Sequence, residues 1–354
     1  MEKYEFFRPM SNGDFGRRVE EVYVCLTEHL ATELSEGRHL QYAKVFLSDI
    51  QNQEPAFKSS DLYKKVLSAK PLTIIEQPPA DGSKITVLVK TSSSLADFVF
   101  SPMRLSADEA RGLDPYAQTK LMFERYVHSM EAHGLDMRTH LLRTWIYVRD
   151  IDVNYAGVVK ARNDVFAEHG LTADTHFIAS TGIEGCSYAT DAAVAIDFLS
   201  YPRADEHDVK FLQAHGFMNP TAEYGVAFER GTRLTHGDAD TFFVSGTASI
   251  DDKGNVLHIG DVLRQTTRLL KNISVLLADG GACMNDMRYF IVYLRDTADY
   301  AAVDTMLSQL WPSVPHIIVK AKVCRPSWLI EIEGIATRRT AQSAVSDSAE
   351  VLSA

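Results

Sequence analysis

The sequence predicts an α+β protein built of tandem modules, each a mixed sheet with two helices on one face. Three observations predict it. A strand-like pattern recurs as VFLSDI at 45–50, IYVRDI at 146–151 and VYLRDT at 292–297, ending at Asp49, Asp150 and Asp296. A helix-period stretch precedes each recurrence. A second helical stretch and one or two further strands follow it.

In the first copy the leading helix, RRVEEVYVCLTEHLATEL, is loosely patterned. SSDLYKKVL supplies its second helix and KITVLVKT its closing strand. In the second copy the helix QTKLMFERYVHSMEAHG opens on Gln118-Thr119, and YAGVVKARNDVFAEHG and AAVAIDFLSY follow the repeated strand. The third copy begins with an expected hairpin, TFFVSGTASI and NVLHIGD joined by the turn residues DDKG. Its helix opens on Gln265-Thr266, places Leu269, Leu270, Ile273, Leu276 and Leu277 at helical spacing, and stops at Gly280-Gly281. YAAVDTMLSQL, HIIVKAKV and WLIEIEGIA complete it. Breaks at SSSL and PRADEHD divide the chain into a degenerate module at 1–92, a second at 93–203, a complete third at 204–338 and a tail at 339–354 with little to bury.

Composition limits the function classes. With 354 residues, 45% hydrophobic and 23% charged, the chain has the make-up of a soluble globular protein. It has no apolar run near the roughly 18 residues of a membrane span, and no signal-peptide h-region at its start, so a cytoplasmic location is expected, with no membrane partner. Cys25, Cys186, Cys283 and Cys324 form no C-x-x-C pair, which argues against a disulfide framework or a zinc site. A net charge of −11 without a basic run argues against nucleic acid as a partner. A small anionic substrate fits, because a few clustered arginines make one cleft positive. No G-x-G-x-x-G, P-loop, H-E-x-x-H or G-x-S-x-G is present, and no cofactor is expected.

The third module, from FVSGTASIDDKGNVLHIGDVLRQT through VYLRDTADYAAV to WLIEIEGIA, resembles the RidA/YjgF family. That family's small α+β domains, of chorismate mutase-like fold, form trimers with a ligand cleft between neighbours. The resemblance therefore implies that three linked modules pack as a pseudo-trimer within one monomeric chain. Within the superfamily the chain resembles the chorismatases, which carry a Cys-Arg pair seven residues before a catalytic glutamate, as Cys324, Arg325 and Glu331 stand here. LLRTWIYVRDI resembles their Arg-x-Trp-Asn-Tyr segment through Arg143, Trp145 and Tyr147. NYAGVVKARNDVF brings over Tyr155 and Arg162, and YGVAFERG brings over Tyr224, Phe228 and Arg230. The chain departs at Ile146 in place of Asn, Asn154 in place of Arg and Ala161 in place of Gly, and it lacks an Asn-Pro-Arg-Gln signature. His316 stands where imine-deaminating members are expected to carry a carboxylate-binding arginine, and an imidazole does not reproduce a guanidinium fork.

The resemblance implies a chorismatase-type hydrolase or lyase that cleaves the enolpyruvyl ether of chorismate, or of a related small carboxylic acid, by general acid catalysis with release of pyruvate. A RidA-type imine or enamine hydrolase and a non-catalytic small-acid-binding regulator are the alternatives. The residues themselves suggest a lined cleft. Along WLIEIEG the period of two sends Trp328, Ile330 and Ile332 to one face and Leu329, Glu331 and Glu333 to the other. Along HIIVKAKVC it groups Ile318, Lys320, Lys322 and Cys324. An acid in such a cleft has its proton held by desolvation, about 2.7 kcal/mol for ~2 pK units. The bland alternative is a solvated strand face, with Cys324 as core filler. Arg162 and Arg230 are the chosen anchors for a dianion, Arg325 and Cys324 line the pocket, Tyr147 donates a phenol hydrogen bond, and Arg143 flanks the repeated strand. Gly246, followed by Thr247 and Ala248, is expected to open backbone N–H groups to a ligand.

Overall fold

The computed structural model describes residues 2–93, 98–221 and 225–340. Tyr224 and the end of the expected tail, 341–354, lie outside the described residues. The first third holds β1 (Glu2–Phe7), α1 (Phe15–Ser35), β2 (His39–Leu47), α2 (Ile50–Ser59), a π-helical turn (Leu62–Leu67), β3 (Leu72–Glu76) and β4 (Ile85–Ser92). The second holds β5 (Val99–Met103), α3 (Ala107–Ala110), α4 (Pro115–Glu131), α5 (Met137–His140), β6 (Leu141–Val148), α6 (Ile151–Glu168), β7 (Ala179–Glu184) and β8 (Val194–Ser200). The third holds β9 (Val209–Leu212), β10 (Gly231–His236), β11 (Ala239–Thr247), α7 (Val262–Asp279), β12 (Met287–Leu294), α8 (Tyr300–Leu310), β13 (His316–Lys320) and β14 (Ile330–Arg339).

Three mixed sheets result, ordered β1-β4-β2-β3, β5-β8-β6-β7 and β13-β12-β14-β11-β10-β9. In each, the repeated strand pairs parallel with the strand after its crossover helix and antiparallel with the closing strand. Strand alternation then divides the cores. In the first sheet Val45, Leu47, Val87 and Val89 meet α1 and α2, whereas Tyr42, Phe46 and Leu88 join a central cluster with Trp145, Tyr147, Leu199, Tyr289 and Tyr293 from the other two. In the second sheet Ile146, Val148, Ile196 and Phe198 take the helix side.

The three sheets clasp in a ring just beyond their crossover strands. Glu76 and Cys186 exchange backbone hydrogen bonds, Glu184 N donates to Lys322 O, and Ala80 N and Lys320 N donate to Ile318 O and Pro78 O. These links join the first sheet to the second, the second to the third and the third to the first. The recurring Gln-Thr pair has a job in holding the second and third units. The Gln118 amide bonds Leu113 O and Asp191 O and accepts from Ala193 N. Gln265 bonds Ser327 O and accepts from Leu329 N, which pins the approach to β14.

Two expectations are corrected. The third sheet's hairpin is β10–β11, turning at Gly237-Asp238, where Gly237 has φ +57. The expected partner, NVLHIGD, forms no strand ladder with TFFVSGTASI; the two meet at an isolated Ile250–Val256 bridge, where Leu257 N donates to Ser249 O and Ser249 Oγ to Leu257 O. Thr232 and Leu234 turn toward the buried side of β10, which the exposed residues near His258 cannot match. In addition, β14 continues through Arg339, and Thr340 N donates to Asp238 O, so the strand reaches into the segment read as tail.

Candidate functional site

The second and third units enclose a cleft of about 560 Å³. From the second come Tyr155 and Arg162 of α6 and Ser180, Thr181 and Gly182 of β7; from the third come Phe228, Arg230, Gly246, Ala248, Cys324, Arg325, Trp328 and Glu331. Tyr155 and Arg162 share a helix face because they lie seven residues, or two turns, apart. The ring of Tyr155 occupies the space over Gly182, where an added Cβ would stand 2.9 Å from its hydroxyl.

Glu331 sits on the central strand of its sheet, opposite Tyr293, and is 5% exposed. Its carboxyl lies against Gly246, at an irregularity in the β11–β14 pairing; a Cβ on Gly246 would come within 2.1 Å of Oε1. The glycine is thus the seat of the acid. Burial pushes the Glu331 carboxyl up to about 8, the Glu333 charge adds to the rise, and Arg230 and Arg143 oppose it. A carboxyl so raised keeps its proton at neutral pH, in a cleft whose walls carry Arg162, Arg230 and Arg325.

Behind it, Glu333 is wholly buried and takes Arg143 Nη2 at 2.7 Å and Trp145 Nε1 at 2.6 Å. Arg143 also donates to Val244 O at 2.6 Å and to Thr181 Oγ1 at 2.9 Å. Arg230 Nη2 is held by the carbonyl and amide oxygens of Asn219 at 3.0 and 3.1 Å. The Arg325 guanidinium lies 4.8 Å from the Trp328 ring. Burial, then the Glu331 charge, pushes the Cys324 thiol up to about 12, which suits a wall residue and disfavours a nucleophile.

The structure brings Glu331, Cys324, Arg325, Arg230, Arg162, Gly246 and Ala248 together on one cleft. It places three other candidates elsewhere. Tyr147 points into the seam between the first and second units, where its hydroxyl donates to Asp197 and accepts from Lys44 Nζ at 3.0 Å. Arg143 is 1% exposed and stands one layer behind the cleft, committed to Glu333. Thr247 alternates away from Gly246, and its hydroxyl caps Ser245 O. Nor is the Gly246 N–H open to a ligand, because it donates to Thr181 Oγ1 at 2.9 Å. Lys320 is exposed and Lys322 pairs with Glu184 and Asp152 outside the cleft, since β13 ends at Lys320 and the alternation stops there. Sequence reasoning missed Thr181 and Ser180, small polar residues in a strand with no motif of their own.

The repeats also show why the acid is single. Glu331 opposes Tyr293; the matching positions oppose Ala195 to Tyr147 and Thr86 to Phe46. Grooves at the other two seams are lined by Lys58, Lys70, Arg104 and Tyr188, and by Arg8, Tyr300, Trp311 and His316. His316 therefore belongs to a different seam from Glu331, bonded to Asp304 at 3.1 Å, and the residue in its register that faces Glu331's cleft is Ser180.

Comparison with known proteins agrees with this architecture. The family model described as Endoribonuclease L-PSP matches residues 232–338. The 3-aminoacrylate deaminase RutC of Acinetobacter baylyi is 31% identical over 96 residues, which cover 27% of this chain and 76% of the deaminase. The crystal structure of a chorismatase superposes with a TM-score of 0.68 at 17% identity, covering 95% of this chain and 98% of that one.

Proposed function

The chain belongs to the RidA/YjgF superfamily and shares the fold of a chorismatase, and from that premise we propose that it cleaves the enolpyruvyl ether of chorismate or a related small dicarboxylic acid. One observation carries the proposal: Glu331 keeps a proton near neutral pH inside a cleft that Arg162, Arg230 and Arg325 make attractive to carboxylates.

In the proposed reaction the Glu331 carboxyl gives its proton to the methylene carbon of the enolpyruvyl group. The positive charge that develops at the ether-bearing carbon is met by water, whose proton returns to the Glu331 carboxylate. The resulting hemiketal breaks its bond to the ring oxygen, releasing pyruvate and the ring alcohol. General acid catalysis contributes ~10²–10⁴-fold, and fixing the two carboxylates supplies orientation. Glu331 begins neutral, so it does not repel the dianion it must approach. Its ionised form is disfavoured by burial, which keeps the acid form populated at neutral pH, where an ordinary carboxyl has already lost its proton.

The likeness to RutC over the third unit favours a second reading, hydrolysis of an imine or enamine with Glu331 orienting water. Incubation of the purified protein with chorismate, with pyruvate followed through lactate dehydrogenase and NADH, separates the two. Pyruvate release that Glu331→Gln lowers by about 10²–10⁴-fold supports the first. Hydrolysis of a 2-aminoacrylate-derived imine without pyruvate from chorismate reverses the order. Tight chorismate binding with neither turnover assigns the protein to sensing.

A further inference from the structure

We infer that Thr181 is an obligate hydrogen-bond donor into the cleft, a ligand-binding residue that reads an acceptor oxygen beside the atom Glu331 serves. A threonine hydroxyl has one hydrogen to give and two lone pairs to receive with. At Thr181 both lone pairs are taken. Arg143 Nη2 donates to Oγ1 at 2.9 Å, and Gly246 N donates to the same oxygen at 2.9 Å. Neither donor can reverse its role, because a guanidinium and a backbone amide carry no acceptor on those nitrogens. The hydroxyl hydrogen must point along the direction that remains.

Among the described residues no protein acceptor stands there. Thr181 is 1% exposed and lines the cleft, so bulk water does not satisfy it freely. Its methyl carbon lies 3.0 Å from the point where a Gly246 Cβ would be, the same point that Glu331 Oε1 crowds at 2.1 Å. The Thr181 side chain and the acid therefore share one end of the cavity, with the hydroxyl held between Arg143 and the Gly246 amide. A buried donor without a partner is costly, and a bound oxygen relieves it.

The direction of this donor is set from behind. Glu333 fixes Arg143 through Nη2, and the same Nη2 fixes Thr181, so the Glu333–Arg143 pair acts as a positioning unit for the ligand contact. A site built this way prefers ligands with a carboxylate or ether oxygen at that place over analogues with a methylene there. The inference rests on the proposed function only for the identity of the ligand.

Neutron diffraction on the deuterated protein tests the polarity without any substrate. A deuteron on Thr181 Oγ1 directed into the cavity is expected; a deuteron directed at Glu331 or at a main-chain carbonyl overturns the inference. Kinetics with chorismate supply the second arm. Thr181→Ser keeps the donor and is expected to stay within about threefold of wild type, while Thr181→Val loses about tenfold, mostly in KM. A folded Thr181→Val with unchanged KM counts against the inference. If wild type releases no pyruvate, the proposed function fails while the deuteron position still decides this point; if Thr181→Val does not fold, the serine variant and the deuteron decide it.

Discussion

Replacing Glu331 with glutamine tests the central electrostatic idea through stability as well as activity. Glutamine has the shape and neutrality of the protonated carboxyl. The folded carboxyl loses its proton near 8, against 4.5 when unperturbed. Between those values the folded chain holds a proton that the unfolded chain has lost, so wild-type stability falls as pH rises through the window. Each pH unit costs about 1.4 kcal/mol, which brings the loss at pH 7 to about 3 kcal/mol. The glutamine variant escapes this loss. Paired urea denaturation of wild type and Glu331→Gln from pH 5 to pH 8 is expected to show the variant gaining steadily on the wild type and levelling off above about pH 8. Other groups titrate alike in both chains and drop out of the difference. A stability difference that stays constant with pH, or a variant that loses ground to the wild type as pH rises, refutes the buried, protonated acid. In activity the same group predicts a kcat/KM that falls as pH passes about 8, where the free protein loses the proton.

Four further outcomes follow from the geometry. Glu333→Gln strands the Arg143 charge in the core, costs about 3–5 kcal/mol in chemical denaturation, and moves the alkaline limb of kcat/KM to lower pH because Glu333 helps to raise Glu331. Gly246→Ala drives a Cβ into the Glu331 carboxyl, costs about 1–3 kcal/mol, and removes most turnover by displacing the donor. Arg230→Met raises KM for a dicarboxylate by about 10–100-fold, the worth of a charge-assisted hydrogen bond, with a smaller change in kcat. Iodoacetamide at pH 8 labels the exposed Cys283 quickly and Cys324 scarcely at all, read by peptide mass mapping; equal rates contradict the buried thiol.

Much of the fold was legible because it is periodic. VFLSDI, IYVRDI and VYLRDT mark three parallel-paired strands at matching places, and the Gln-Thr pairs that open the matching helices staple the loops entering the closing strands. Alternation in WLIEIEG put Glu331 and Glu333 on one face, where they are found. The expected turn lay at DDKG, at the far end of TFFVSGTASI, and the β10–β11 hairpin at Gly237-Asp238 was not foreseen, because local propensity does not say which neighbour a strand will take. The starting strands β1 and β5 also escaped, since each completes a sheet whose other members come from later in its unit.

The sequence by itself determined the module, its repetition and the residue types that a carboxylate cleft requires, because these depend on periods of two and 3.6 and on local chemistry. Only the tertiary structure decided which copies face each other. It separated Glu331 from Glu333 into a cleft-lining acid and an ion-pair partner, took Tyr147 and Arg143 out of the cleft, and brought Thr181 in from a strand 150 residues away. Burial, charge proximity and the occupancy of lone pairs arise between segments far apart in the chain, and no pattern within one segment carries them.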